Sequence, residues 1–193
     1  MTTTESKNEM IVWNGDYLNT AEFVKVETGT SIRARGYIAG EVEGILCRAA
    51  YELEVDLSWN IKSVYLEFES DSCFVISLHK NENDEWLNEK AELLSQFHDC
   101  TDIDISLTPF TNTLPINRLN LPVGSNAEET VIYINLPTPE CKPVKQRYTN
   151  LGNNTYKYEN LVSGFVSHIQ VDENGYVINY PGFWHRIFPA TIT

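Results

Sequence analysis

The chain has 193 residues, 42% apolar, 21% charged and 11% aromatic, which are globular values and exclude disorder of its bulk. Its 14 Lys and Arg face 27 Asp and Glu, a net charge of −13, so phosphate backbones and anionic headgroups are repelled: no nucleic-acid partner is expected, and attachment to a membrane through a basic patch is disfavoured. A chain of this length buries a core without staples, and we read it as a disordered tail over 1–10 followed by a single domain over 11–193.

The opening MTTTESKNEM has no cationic and apolar regions in succession, so no secretory signal is expected. No window approaches the roughly 20 apolar residues of a membrane span, and a cytoplasmic location is expected. Cys47, Cys73, Cys100 and Cys141 form no CxxC pair and read as reduced, mostly buried residues.

Along the chain, period-two alternation dominates. Tyr51-Glu52-Leu53-Glu54-Val55-Asp56-Leu57 alternates strictly, as does Val64-Tyr65-Leu66-Glu67-Phe68-Glu69, and each gives a strand with one wet and one dry face. Further strands are predicted over 20–27, 31–39, 45–49, 73–79, 102–107, 130–136, 155–159, 162–171 and 175–180. Turn signals separate them: Glu27-Thr28-Gly29, Asn81-Glu82-Asn83-Asp84, Gly152-Asn153-Asn154 and, strongest, Asp172-Glu173-Asn174-Gly175. The fold class is all-β, mainly antiparallel, a barrel or rolled sheet. The spacing of Trp86, Lys90, Leu93, Leu94 and Phe97 predicts one short helix around 89–97. Charge is uneven: residues 1–104 carry 21 acidic and 8 basic residues, whereas 105–193 carry six of each.

Residues 105–127, ISLTPFTNTLPINRLNLPVGSNA, hold one charge, Arg118, and three prolines that argue against helix and central strand. The segment is expected to be irregular and extended. Two readings stay open. It plugs the end of a rolled sheet, or Phe110, Asn112 and Leu114 help to wall an apolar cavity. Arg118 needs an anionic partner; Asp104 is the expected one, with Asp102 the other near carboxylate, and contact with a ligand phosphate or sugar is the alternative.

Catalytic patterns are missing. There is no phosphate-binding glycine loop and no nucleophile elbow, since LVSGF lacks the first glycine. His79, His98, His168 and His185 are not spaced as metal ligands, so no metal and no cofactor are expected. Asp102-Ile103-Asp104 puts two carboxylates about 7 Å apart on one strand face, read as out-facing polar residues. Glu22, Glu52, Glu54 and Asp56 could serve glycoside hydrolysis only if the fold pairs them. The aromatics group at Trp13 and Tyr17, at Trp59, at Tyr148, Tyr156 and Tyr158, and in the uncharged run Tyr176 to Trp184. They suit a core with one wet end, and equally sugar stacking.

The string from Cys100 to Leu119, CTDIDISLTPFTNTLPINRL, resembles the core motif of the bacterial glycolipid-binding family. Other features match in the same order: Trp13 with Glu22, VDLSW ending at Trp59, Trp86, Gln146-Arg147-Tyr148, the Tyr156 and Tyr158 pair, and Val171-Asp172 leading through Gly175 to Tyr180-Pro181-Gly182. The resemblance spans about residues 11–188. It implies a spiral β-roll, shaped like bacterial lipoprotein-carrier proteins, and makes 86–97 strand and turn rather than helix. It implies no catalytic residues.

The leading expectation is therefore a non-enzymatic protein that holds a lipid or glycolipid within the rolled sheet. Arg118, Phe110, Asn112, Leu114, Arg147, Tyr148, Tyr180 and Trp59 are its candidate ligand-binding residues, and Asp104 with Arg118 a structural pair. Such a carrier needs a hollow roll, and loses it if Phe110 and Leu114 fill the space. The alternatives are an interaction module, with a sheet edge pairing two copies into a homo-oligomer, and an enzyme acting on a carbohydrate or lipid headgroup.

Overall fold

The structure, a computed structural model, describes residues 7–190. Its strands are β1 (Lys7–Gly15), β2 (Thr20–Thr28), β3 (Ile32–Val42), β4 (Ile45–Val55), β5 (Ile61–Glu69), β6 (Cys73–Lys80), β7 (Trp86–Asn88), β8 (Asp102–Ile105), β9 (Asn126–Asn135), β10 (Glu140–Gly152), β11 (Thr155–Asn160), β12 (Val166–Val171), β13 (Val177–Tyr180) and β14 (Trp184–Phe188). All 14 join one sheet in the order β7-β6-β5-β4-β3-β2-β1-β14-β13-β12-β11-β10-β9-β8. Every pair is antiparallel except β8 with β9. The all-β rolled sheet is the architecture expected from the alternation.

The alternation sets the two faces. In β4, Cys47, Ala49, Tyr51, Leu53 and Val55 are buried, while the intervening Arg48, Glu52 and Glu54 face outward. On that outer face Arg35 bonds Glu27 and Glu52, each at 2.7 Å. The sheet curls until its ends meet. Although β7 and β8 lie at opposite ends of the strand order, the Trp86 indole N–H donates to the Cys100 carbonyl at 2.8 Å. Lys80 Nζ likewise donates to the Thr101 carbonyl at 3.2 Å. The sheet remains open, and β8 is covered on both faces: Asp102, Ile103 and Ile105 are each at most 1% exposed.

Several expectations are corrected. The sheet begins at Lys7, so residues 7–10 belong to β1 and not to a tail; residues 1–6 of that expected tail lie outside the described residues. Around 89–97 there is a hairpin followed by a 3₁₀ turn (Ser95–Phe97), not an α-helix. The Asn88 side chain accepts the amides of Lys90 and Glu92 at 2.9 and 3.0 Å and turns the chain back, so the helical spacing there was accidental. Residues 105–127 are not extended throughout. They contain a 3₁₀ turn (Phe110–Asn112) leading into α1 (Thr113–Leu119), which ends at the left-handed Asn120. Pro115 is the third residue of that helix, where an amide has no intrahelical acceptor to lose.

The segment 105–119 lies inside the roll. Phe110 and Leu114 are fully buried and belong to the single core cluster. The roll is thus packed by its own side chains, and the expectation of an acyl chain enclosed at its centre does not hold.

Strand direction sorts the turns onto two ends. Connections 16–19, 43–44, 70–72, 136–139, 161–165 and 181–183 fall at one end, and 29–31, 56–60, 81–85, 153–154 and 172–176 at the other. The second end is plugged. Asn117 of α1 donates to the Asn174 carbonyl at 2.9 Å, and a Cβ on Gly175 would sit 2.7 Å from the Asn117 amide and displace it.

Gly36 in β3 matters to the core. A Cβ there would meet the Tyr51 ring at 2.1 Å, because the ring lies flat across β3 to place its hydroxyl over β2. Gly36→Ala is expected to lose about 1–3 kcal/mol in denaturant unfolding through overpacking. A stability within about 0.5 kcal/mol of the parent would show that the ring has room to move.

Candidate functional site

The end of the roll opposite α1 carries a cavity of about 310 Å³. Its wall from the second half of the chain is aromatic. Tyr180 is central, with ring centroids 5.3 Å from Phe183, 5.4 Å from Trp184 and 6.2 Å from Tyr158. Phe165 packs edge-on to Phe183 at 5.3 Å, and Tyr17 leans over Phe183 at 5.9 Å from the β1–β2 turn. These side chains converge because the 161–165 and 181–183 turns adjoin in the sheet order. The Trp184 indole N–H is buried and has no hydrogen-bond partner among the described residues.

The polar lining comes from the inserted segment and neighbouring turns: Asp104, Ser106, Thr108, Asn112, Asn160 and Ser163. Asp104 accepts from Thr111 Oγ1 at 3.1 Å and from Gln146 Nε2 at 2.6 Å. Burial pushes its carboxyl above the ordinary aspartate range, while these two donors pull it down. The lining contains no Lys, Arg, His or Cys; its only charged types are Asp104 and Glu43. Among the described residues, no group of three or more His, Cys, Asp or Glu could hold a metal ion.

Three buried polar ties position the inserted segment. Tyr51 Oη donates to Glu22 Oε1 at 2.7 Å, Thr108 Oγ1 to Glu22 Oε2 at 2.9 Å, and Thr108 Oγ1 accepts the Phe110 amide at 2.9 Å. Tyr148 Oη donates to Asn112 Oδ1 at 2.9 Å. Arg118 forks onto Asp102 Oδ2 through Nε at 3.2 Å and Nη2 at 2.6 Å, and also pairs with Glu129. Desolvation raises the Asp102 carboxyl to about 6 even with Arg118 beside it.

Of the eight predicted ligand-binding residues, Asn112 and Tyr180 line the cavity. Phe110 and Leu114 are core, and Tyr148 stands behind Asn112. Trp59 lies at the plugged end, edge-on to Tyr176 at 6.5 Å. Arg147 is on the outer face with Glu128 and Glu159. The expected Asp104–Arg118 pair is replaced by Arg118 with Asp102 and Glu129. Asp102 begins β8 near the plugged end, where α1 delivers Arg118, whereas Asp104, two residues on, faces Thr111 and Gln146. Nor are the two aspartates out-facing, since both are occupied inside the roll. Glu52 faces Arg33 and Arg35 outside, and the Asp56 side chain closes a turn, so neither pairs with Glu22. Tyr133, Phe165, Phe183 and Trp184 were not singled out as binding residues. The uncharged aromatic run 175–184 was the available signal for the last two.

Glu22 supplies a pH test. Its complete burial raises the carboxyl to about 8, against the lowering effect of Thr108 and Tyr51. The folded protein therefore keeps a proton that the unfolded chain releases above the ordinary glutamate value of 4.5. Stability from this group is full below that value, declines as pH rises, and levels off above about 8. Glu22→Gln is expected to flatten this part of the unfolding free-energy profile, measured between these limits. An unchanged slope would show that the carboxyl ionises without cost.

A family model described as putative glycolipid-binding matches residues 10–186. A crystal structure of a DUF1089-family protein from Pseudomonas aeruginosa superposes with a TM-score of 0.79 at 34% identity, covering 86% of this chain and 92% of that one. No curated protein matches the chain.

Proposed function

The chain belongs to that family, and we propose that it binds a lipid or glycolipid by its headgroup, in the aromatic cavity at the unplugged end of the roll, and holds it without transforming it. The carrying observation is the mixed lining, in which Tyr, Trp and Phe rings stand beside hydroxyl, amide and carboxyl groups. A sugar ring presents the same two kinds of surface, apolar C–H faces and a hydroxylated edge. The volume of about 310 Å³ matches roughly ten water molecules. That accommodates one sugar ring. A methylene displaces nearly as much as a water, so a fourteen-carbon tail does not fit. The absence of any basic side chain from the lining disfavours phosphate or carboxylate headgroups. A holding role is supported by the lining's lack of His, Cys and Lys and by the engagement of both Asp104 oxygens with Thr111 and Gln146.

Native mass spectrometry of protein purified gently from its host, with lipid extraction of the same sample, is expected to show a discrete added mass that extracts as a lipid or glycolipid. An unliganded mass, unchanged after incubation with a lipid panel, would overturn the reading. Ser163 is exposed, on the turn at the cavity, and Ser163→Trp is expected to block the cavity without affecting folding. Loss of at least about tenfold in affinity, with an unchanged melting temperature, is the expected result. Unchanged affinity would place the ligand elsewhere.

A further inference from the structure

The two ends of the roll differ in charge. At the plugged end the turns carry Asp56, Asp84, Asp172 and Glu173. At the cavity end, three turns that are consecutive in the sheet order are free of charge: Leu136-Pro137-Thr138-Pro139, Leu161-Val162-Ser163-Gly164-Phe165 and Pro181-Gly182-Phe183. In a protein of net charge −13, three adjoining uncharged turns along one side of a cavity are the exception. The rim also exposes apolar surface: Val162 is 70% and Tyr17 73% exposed. The neighbouring Asp16 contacts His185 Nδ1 at 2.8 Å; Glu140, just after the 136–139 turn, pairs with Lys142 at 3.3 Å; and the other acidic groups at this end, Glu41, Glu43, Glu69 and Asp71, sit on or beside the turns of the first half.

We propose that this rim docks on the surface of an uncharged, zwitterionic lipid bilayer, with Val162, Tyr17 and the 136–139 and 181–183 tips entering the headgroup layer. The occupant is set by three observations. The contact surface offers apolar and aromatic tips and no Lys or Arg, so attraction to anionic lipid is excluded as the cause of binding. Tyr at the rim suits the interface between water and hydrocarbon. The tips are continuous with the cavity, which is too small for a lipid tail, so the tail of a bound lipid stays in the bilayer while its headgroup enters. Only this last point rests on the headgroup reading.

The test uses the full chain and sedimentation with phosphatidylcholine vesicles. The protein is expected to sediment with them, to stay bound in high salt, and to bind less when phosphatidylglycerol is added, because Glu43 and Asp71 flank the contact. Val162→Glu is expected to reduce vesicle partitioning at least about tenfold. Octyl glucoside binding, followed by native mass spectrometry, should be the same in Val162→Glu and the parent. No sedimentation with phosphatidylcholine, sedimentation that requires phosphatidylglycerol and fails in salt, or an unaffected Val162→Glu would each overturn the docking. Sedimentation with phosphatidylcholine but no glucoside binding by the parent would uphold the docking and sink the headgroup reading.

Discussion

A single buried carboxyl joins the inserted segment to the wall of the roll. Glu22 on β2 takes the Tyr51 hydroxyl on one oxygen and the Thr108 hydroxyl on the other. Tyr51 reaches it only because Gly36 leaves β3 flat beneath the ring. Thr108 in turn accepts the Phe110 amide and so fixes where the chain turns inward. Apolar contacts alone would let residues 105–119 slide along the core, since one aliphatic surface resembles another. Directional bonds in a low-dielectric interior do not permit that, because a shifted register would strand buried polar groups. The same logic applies to Asn112 with Tyr148 and to Arg118 with Asp102 and Glu129. Such buried polar and ionic ties are weak sources of net stability. Here they are placed where they fix position, along the segment that supplies one wall of the cavity.

That placement divides the roll into two ends with different chemistry. Asp56, Asn81 and Asp172 at the plugged end, and Asn88 in the turn after β7, each accept the amides two and four residues later. In each, the residue three places on is left-handed: Trp59, Asp84, Ala91 and Gly175. The side-chain carbonyl or carboxylate replaces a missing backbone partner, which makes these turns compact and polar. Three of the four αL positions are not glycine, so the side-chain bonds are strong enough to hold conformations that cost an L-residue energy. Most of the cavity-end connections do without this device. Three of them, 136–139, 161–165 and 181–183, carry proline or aromatic side chains beside a space.

The strands were legible where polar and apolar side chains alternate strictly, as in 51–57 and 64–69, since burial there follows a period of two; β1, despite its own wet and dry faces, was not predicted. The β10 and β14 strands were not, because their alternation is broken by Pro143 in one and by half-buried polar residues in the other. The α1 helix was hidden by counting prolines without position: Pro115 breaks a helix interior but not its first turn. The cavity was half legible. The aromatic run 175–184 and the charge-poor segment 105–127 were both visible, and they supply its two sides. Their apposition depends on which turns share an end of the sheet, and that depends on strand order, which no local pattern encodes. The Arg118 partner failed for the same reason, since Asp102 and Asp104 are equivalent by sequence distance and differ only in where α1 ends.

A packed roll changes what binding a lipid can mean for this fold. Enclosing a tail would require displacing Phe110 and Leu114, both fully buried, at several kcal/mol each. Leaving the tail in a bilayer carries no such cost. A headgroup alone gives few contacts, and a cavity of about 310 Å³ yields modest affinity for a soluble sugar. At a membrane surface that weakness is offset, because docking confines the protein to the layer where headgroups are concentrated and the second contact becomes intramolecular. In the proposed function the uncharged turns and the small aromatic cavity are therefore complementary parts of one design. On the proposed reading each is too weak to hold a lipid in solution, and together they would select a headgroup within its own membrane.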